Sequence, residues 1–208
     1  MIDATPVPIR SVRTIGPDTI ALDIETPDGF DPLPGQFVKL TAFVDDEHVT
    51  RFYTLSSPGA TDTFEITVEI DPDGTLGPWL ADGAGEEVQI EGPYGHAFYD
   101  GEAASIVMAG GPGIGAAVGI GEAAVADDND VTIIYRGAAL AHQDRLDALA
   151  EDGATVERAD DLENALEALA TGDEQLFAYG FQDFVTDAVN AVEAIGGEST
   201  DVKVENFG

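Results

Sequence analysis

The sequence SIVMAGGPGIG, residues 105–115, sets the fold of the second half of the chain. Ser105–Ala109 is predicted to be a buried strand and Ile114–Ala126 a helix of small residues. The glycines between them would let the backbone approach a pyrophosphate, whose charge the free N–H groups of the helix start would meet. The same glycines would also suit a tight strand-to-helix turn. The run departs from the dinucleotide fingerprint G-x-G-x-x-G and therefore predicts no standard Rossmann site.

Strands and helices continue to alternate after this turn. Further strands are predicted at Val131–Tyr135, Thr155–Glu157, Gln175–Tyr179 and Val202–Val204. Helices are predicted between them at His142–Glu151, Asp161–Ala170 and Asp183–Ile195. Alternation at this spacing predicts an α/β domain with a doubly wound parallel sheet, at residues 101–208.

Short strands fill the first half of the chain, separated by turn signals such as Pro34-Gly35 and Asp73-Gly74. They are predicted at Val7–Thr14, Thr19–Glu25, Gln36–Ala42, Val49–Leu55, Phe64–Ile70 and Glu87–Ile90. Six short strands in roughly 90 residues predict a closed antiparallel β-barrel, at residues 1–100. One helical turn is predicted near Gly77-Pro78-Trp79-Leu80, because proline is favoured in a first turn.

Acidic residues dominate the charge of the chain. Its 41 Asp and Glu residues against 8 Lys and Arg residues give a net charge of −33. Repulsion among them destabilises a compact state in ordinary salt, whereas at molar salt the Debye length falls to about 3 Å. Because the acids occur everywhere along the sequence, they indicate a salt-accumulating cytoplasm, that of a halophilic archaeon, rather than one acidic docking surface. Nucleic-acid binding is excluded, since it takes clustered Lys and Arg.

The absence of cysteine removes other kinds of chemistry. With no thiol in the chain, disulfides, iron–sulfur ligation and thiolate catalysis are excluded. The three histidines fall at no metal-ligand spacing, so we predict no metal site. The sequence has no apolar run of 18 residues and no signal peptide, and we expect a soluble cytoplasmic protein without a transmembrane segment.

Arg51-Phe52-Tyr53-Thr54, on the fourth predicted strand, combines three useful side chains. Alternation puts Arg51 and Tyr53 on one face and Phe52 on the other. An arginine can clamp a phosphate, a tyrosine ring can cover a flat heterocycle, and a threonine hydroxyl can bond a ring nitrogen or carbonyl. An amphipathic strand with an incidental arginine would show the same four residues.

A glycine-bounded segment, Gly74-Thr75-Leu76-Gly77-Pro78-Trp79-Leu80, follows 23 residues after Arg51. As a helix start it would offer N–H groups to a second phosphate contact. An ordinary loop followed by a helix cap would show the same residues.

Taken in order, the motifs R-x-Y-T, G-x-L-x-x-x-L, Gly92-Pro93-Tyr94-Gly95 and GGPGIG resemble the ferredoxin–NADP reductase superfamily over nearly the whole chain. The resemblance implies FAD in the barrel and NADP or NAD in the α/β domain. It makes Tyr53 and Thr54 the catalytic residues, with Tyr53 stacked on the flavin ring and Thr54 near its N5 atom. Arg51 would hold the FAD pyrophosphate.

The same resemblance implies the remaining cofactor contacts. Along the flavin these would be Phe52 and the backbone of Thr67, Val68 and Glu69. Backbone N–H groups of Thr75, Leu76 and Gly77 would bind the pyrophosphate. The nicotinamide nucleotide would lie on Gly110, Gly111, Pro112, Gly113, Ile114 and Gly115. Phe207, in the closing segment Glu205-Asn206-Phe207-Gly208, would cover the flavin or pack as a strand end.

Several positions depart from the family pattern. Gly77 and Pro112 stand where the family usually has a hydroxyl residue, and Tyr179-Gly180-Phe181 replaces the late Cys-Gly-Pro motif. Arg136 and Arg158 end two α/β strands, where ligands bind in such sheets. Each would meet the 2′-phosphate of NADPH or pair with a neighbouring acid.

The resemblance implies a flavoprotein oxidoreductase that passes electrons between NAD(P)H and a separate one-electron acceptor, such as ferredoxin, through FAD. The missing hydroxyls and thiol leave an alternative, an FAD-containing electron-transfer subunit of a larger complex without productive NAD(P)H binding. A nucleotide-binding regulator without flavin is a third possibility.

Overall fold

A computed structural model describes residues 1–137 and 141–208, and they contain two β-sheets. The first is antiparallel, in the order β4-β3-β6-β1-β2-β5. Its strands are β1 Ile2–Gly16, β2 Thr19–Glu25, β3 Phe37–Val44, β4 Glu47–Thr54, β5 Thr63–Glu69 and β6 Glu87–Tyr94, with the short helix α1 Leu76–Ala81 between the last two.

This sheet curls round an apolar core because its strands alternate. Along β3, Val38, Leu40, Ala42 and Val44 are buried while the residues between them face outward. The two edge strands, β4 and β5, meet only through an isolated bridge between Leu55 and Ile66 in the described residues. The predicted six-stranded antiparallel barrel is confirmed, but it is half-open where closure was expected. The gap between β4 and β5 leaves edge N–H and C=O groups free for other partners.

The second sheet is parallel, in the order β11-β10-β7-β8-β9. Its strands are β7 Ala104–Gly110, β8 Asp130–Arg136, β9 Thr155–Arg158, β10 Gln175–Gly180 and β11 Val202–Asn206. Its helices are α2 Ile114–Ala126, α3 Gln143–Glu151, α4 Leu162–Leu169 and α5 Gln182–Ala194. Helices α2 and α3 pack on one face and α4 and α5 on the other, so the predicted doubly wound sheet is confirmed.

The strand order places a crevice at one point of the second sheet. From β7 the chain continues to β8 on one side, and later returns to β10 on the other side. Ligands bind at such a switch point, beyond the carboxyl ends of the strands. Here those ends are Gly110 and Gly180. The first sheet ends at Tyr94 and the second begins at Ala104; the division into domains at residue 100 stays a prediction.

No helix among residues 1–137 and 141–208 is both long enough and apolar enough to cross a bilayer.

Candidate functional site

A cleft of about 340 Å³ lies in the gap between β4 and β5. This volume falls within the range of small-molecule pockets. The cleft is bounded by the two edge strands, the turn before α1 and the switch point of the second sheet. Its lining is Arg51, Phe52, Tyr53, Thr54, Thr67, Glu69, Asp71, Gly74, Thr75, Leu76, Gly77, Pro112, Phe181 and Phe207. The structure thus brings together residues that lie far apart in the sequence.

Arg51 is exposed at this cleft and lacks an acidic partner. Its guanidinium donates to the Thr50 carbonyl at 2.8 Å, and no carboxylate in the described parts of the chain forms a salt bridge with it. Six other basic residues do pair with carboxylates: Arg10, Arg13, Lys39, Arg136, Arg145 and Lys203. In so acidic a chain, an unpaired guanidinium leaves its donor fork open to an anion.

Tyr53 and Phe52 face opposite sides of β4, as strand alternation predicts. Tyr53 packs on the barrel core, and burial raises its pKa to about 12, so the phenol stays neutral. The Phe52 ring packs edge-on against the Phe37 ring, with 5.8 Å between the ring centroids. Phe52 is 62% exposed at the rim of the cleft. Thr54 pairs with Phe37 next to the bridge that joins the two edge strands.

On β5, three neighbouring residues differ in what they can offer. Thr67 is buried and its hydroxyl lies 2.7 Å from His142 Nε2. The Val68 side chain lies in the barrel core, so only its backbone is available. Glu69 is exposed, and a Cβ atom added at Gly111 would lie 3.7 Å from its carboxylate. The end of β5 therefore lies close to the glycine turn.

The turn at residues 75–77 contributes backbone rather than side chains. Leu76 is 3% exposed and belongs to the barrel core. Thr75 makes no side-chain capping bond, and the first N–H groups of a helix have no partner within it. A Cβ atom added at Gly77 would lie 3.4 Å from the Ile70 Cα atom, an ordinary van der Waals contact.

Packing accounts for most of the glycines in the turn after β7. A Cβ at Gly110 would lie 2.4 Å from the Phe184 ring, at Gly113 2.2 Å from the Tyr179 carbonyl oxygen, and at Gly115 2.6 Å from Thr67 Oγ1. Gly111 differs, because its φ of +54° favours glycine while an added Cβ would lie at an ordinary contact distance, 3.7 Å, from the Glu69 carboxylate. Ile114 is fully buried, and Pro112 is the residue of this turn that lines the cleft.

Arg136 and Arg158 do not line the cleft. Arg136 pairs with Asp187 at 2.9 Å, and its guanidinium lies 4.9 Å from the centre of the Phe184 ring. Arg158 donates to the Gly137 carbonyl at 2.7 Å. The structure thus shows the acid pairing considered for Arg136, and a role for either arginine toward a 2′-phosphate remains a prediction.

The segment that replaces Cys-Gly-Pro sends its side chains in different directions. Tyr179 is fully buried, and its hydroxyl donates to the Ala97 carbonyl at 2.6 Å. Phe181 lines the cleft, is 49% exposed, and contacts the Phe207 ring edge-on at 6.0 Å. Phe207 is held by a 3.0 Å hydrogen bond from its N–H to the Gly180 carbonyl. Two aromatic rings therefore close the cleft on the side of the second sheet.

Sequence reasoning missed Phe181, Asp71 and the contact between the halves of the chain. Phe181 follows a strand end at the switch point, which was a usable signal. His142 and Arg145 contact Thr67 and Glu65 of the barrel. Arg145 is one of only 8 basic residues, but nothing in the sequence shows what it pairs with. The described residues contain no group of three or more His, Asp and Glu side chains placed to hold a metal ion.

Residues 6–99 match the family model described as the oxidoreductase FAD-binding domain. Over 65 residues the chain is 45% identical to the glycine betaine monooxygenase reductase subunit of Chromohalobacter salexigens. It is 43% identical to the Pseudomonas aeruginosa subunit over the same length. Each match spans 30% of this chain and only 18% of the relative.

Solved structures match the whole fold at lower sequence identity. The flavohem-like FAD/NAD-binding domain of Vibrio cholerae nitric oxide dioxygenase superposes with a TM-score of 0.86 at 21% identity, covering all of both chains. Ferredoxin–NADP⁺ reductase from Plasmodium falciparum gives 0.82 at 13% identity, covering 98% of this chain and 96% of that one. The fold is therefore that of ferredoxin–NADP reductase-like proteins.

Proposed function

From the FAD-binding oxidoreductase domain at residues 6–99, we propose that this chain is a flavoprotein oxidoreductase. It passes electrons between NAD(P)H and a separate one-electron acceptor protein through FAD. Residues 1–100 form the FAD domain and residues 101–208 the nicotinamide nucleotide domain. The acidic composition supports a salt-rich cytoplasm as its location.

The observation that carries this proposal is the Arg51 guanidinium, which lines the cleft and has no carboxylate partner among the described residues. A pyrophosphate supplies the anion that the neighbouring carboxylates cannot supply, since each of its phosphates accepts bidentate hydrogen bonds. The turn at residues 75–77 lines the same cleft and adds free backbone N–H groups. Two phosphate contacts of this kind favour FAD over FMN, which has a single phosphate.

The other residues of the cleft suit a flat ring system. The neutral phenol of Tyr53 offers an aromatic face that is already packed in place, and Thr54 lines the same cleft. The free edges of β4 and β5 offer backbone donors and acceptors to the ring. When bound, FAD supplies the chemistry, taking a hydride from NAD(P)H and giving up electrons singly. Phe181 and Phe207 exclude water from the side where the nucleotide would approach.

The acceptor must bring its own redox centre, because this chain has no cysteine for a cluster. Similar proteins are named as reductases for ferredoxin or for an oxygenase system. Their names favour an iron–sulfur protein, such as a ferredoxin, as the partner here.

A second candidate function, an FAD-containing electron-transfer subunit without productive NAD(P)H binding, rests on the glycine turn. Three of its glycines are tightly packed against Phe184, Tyr179 and Thr67, so the turn is explained without a nucleotide. Tyr179, which stands in place of the family's thiol, is turned into the core.

One experiment separates the two candidates. The protein is purified in molar salt, its visible spectrum is recorded, and NADH, NADPH or dithionite is added without oxygen. We expect a flavin spectrum that either nucleotide bleaches, and heat-released cofactor that runs as FAD. Bleaching by dithionite alone would establish the second candidate. A colourless protein, or FMN, would overturn the proposal.

A further inference from the structure

Thr67 belongs to two surfaces at once. It lines the cleft, and its hydroxyl contacts the second half of the chain, at 2.7 Å from His142 Nε2. The first turn of α2 also packs on it, because a Cβ at Gly115 would lie 2.6 Å from Thr67 Oγ1. Thr67 of the barrel thus contacts α2, which follows β7, and His142, which precedes α3.

His142 is held in a conformation that histidine rarely adopts. Its φ of 58° and ψ of 31° are left-handed, which costs a residue with a side chain about 1 kcal/mol or more. Its side chain makes no capping bond to α3 and is only 1% exposed. The strained backbone directs the imidazole to Thr67, and such strain persists only where the surroundings fix it.

The hydrogen bonds determine which ring nitrogen of His142 carries the hydrogen. Burial, aided by Arg145 and Arg13, lowers the pKa of His142 to about 3, so the ring is neutral. Arg145 Nη1 lies 3.3 Å from Nδ1, and a guanidinium can only donate. Nδ1 is therefore the acceptor, and Nε2 carries the hydrogen and donates to Thr67 Oγ1. The hydroxyl hydrogen of Thr67 is left to donate elsewhere.

Arg145 is fixed strongly enough to impose this arrangement. It binds Glu122 through two bonds of 2.6 and 2.8 Å, Glu65 at 2.6 Å and the Ser56 carbonyl at 2.5 Å. Arg13 holds the other oxygen of Glu65. Arg13 also pairs with Asp23 at 3.4 Å, and the Arg145–Glu65 pair joins the two halves of the chain; charge-assisted bonds of this kind are the strong ones.

We propose that Arg145, His142 and Thr67 form a hydrogen-bond chain that presents the Thr67 hydroxyl to the cleft as a donor to the flavin. Thr67 then acts through its side chain as well as its backbone, while Arg145 and His142 are positioning residues. The inference rests on the proposed FAD site. A donor to the ring system stabilises the electron-rich reduced flavin, so the chain would raise the reduction potential of the bound cofactor.

The test measures the midpoint potential of the bound flavin by dithionite titration against indicator dyes in molar salt. Thr67→Val removes the hydroxyl at constant shape, and Thr67→Ser keeps it. Arg145→Met lets the ring hydrogen move to Nδ1, which makes Nε2 an acceptor for the Thr67 hydroxyl hydrogen. Glu122→Gln is the matched control, because it weakens the anchoring of Arg145 without breaking its contact with His142.

We expect Thr67→Val and Arg145→Met to shift the redox equilibrium roughly tenfold toward oxidised flavin, about 30 mV for two electrons. The double variant should shift no further, because both changes remove one bond. Thr67→Ser and Glu122→Gln should stay near wild type in potential, even where thermal unfolding shows that they destabilise the fold.

Equal potentials in Thr67→Val and Thr67→Ser would overturn the proposal, and so would a shift in Glu122→Gln as large as that in Arg145→Met. Wild-type protein that dithionite reduces but NAD(P)H does not would refute only the nicotinamide part of the proposed function. The midpoint potentials of the variants would still test the hydrogen-bond chain from Arg145 to Thr67. Wild-type protein without flavin would overturn both.

Discussion

The barrel side of the cleft and the glycine turn after β7 differ in what their residues contact. On the barrel side, Arg51 and Tyr53 present side-chain groups, and that of Arg51 has no acidic partner in the described chain. In the turn after β7, Gly110 and Gly113 have no side chains, and Phe184 and Tyr179 occupy the space where a Cβ atom would lie. A charged side chain without a protein partner indicates a ligand. A glycine indicates only that another group approaches the backbone closely, and that group can belong to the protein itself.

This difference changes how the glycine turn is interpreted. The run at 110–115 was the most distinctive motif of the second half, but its tightest approaches are to the protein itself. Pro112 is the member of the run that lines the cleft. A glycine-rich motif therefore needs the tertiary structure before its residues can be divided between packing and binding.

The largest expected effect is the loss of the folded state at low salt, on which both regions depend. With a net charge of −33, dilution from molar to about 0.1 M salt lengthens the Debye length from about 3 to 10 Å and restores repulsion. We expect circular dichroism and flavin release to show unfolding over this range. A neutral osmolyte at equal osmolality is the control, since it does not screen charge. A fold that persists in dilute buffer would refute the halophilic interpretation.

Gly113→Ala tests the packing side of the comparison. The added Cβ would lie 2.2 Å from the Tyr179 carbonyl oxygen, so neighbouring strands must separate. We expect a loss of about 3 kcal/mol or more in the free energy of unfolding, or roughly 6–12 °C in Tm. Gly59→Ala is the matched control, because nothing lies within 4 Å of its added Cβ. Similar melting temperatures for both would show that the turn is loose enough to serve a ligand.

Arg51→Ala tests the binding side. Removing a charge-assisted clamp should cost about 1.5–3 kcal/mol, which is roughly a 10–150-fold loss of FAD affinity. The measurement is the dissociation constant of FAD for stripped protein. Arg136→Ala, which removes an arginine already paired with Asp187 outside the cleft, should leave that constant unchanged. Equal losses of FAD affinity in the two variants would mean that both act through the net charge of the protein.

Asp187→Asn should give the smallest effect, on the choice between NADPH and NADH. It frees Arg136, at the carboxyl end of β8, from a pair whose acid is 56% exposed. Such pairs are worth about 1 kcal/mol or less, so we expect a shift toward NADPH of at most about fivefold in the ratio of kcat/KM values. Asp183→Asn, in the first turn of the same helix, is the control for charge. An equal shift there would remove Arg136 from the proposed nucleotide site.

Much of the fold was available from the sequence, because it rests on local periodicity. Strand alternation in the first half and strand–helix alternation in the second predicted both sheets, and α2 was predicted with its observed bounds, Ile114–Ala126. Barrel closure was not predictable in this way. Whether β4 and β5 pair depends on contacts between residues such as Leu55 and Ile66 across the sheet, and alternation within each strand is the same in either case.

The candidate site was only partly predictable, for a similar reason. The order of the motifs singled out Arg51, Tyr53 and Thr54, and the structure places all three on one cleft. Their roles toward a cofactor stay predictions. The sequence did not predict that Phe181 lines the cleft, because the position of Phe181 depends on where β10 lies in the sheet.

The sequence by itself determined the secondary structure, the acidic surface and the kinds of chemistry that a chain without cysteine can perform. Periodicity, charge and composition are properties of the chain in any conformation. Only the tertiary structure decided that no carboxylate in the described residues pairs with Arg51, that Gly113 packs on Tyr179, and that Arg145 contacts both Glu65 of the barrel and His142. Each of these depends on which distant groups approach within a few ångströms, and that is fixed by how the two sheets pack together.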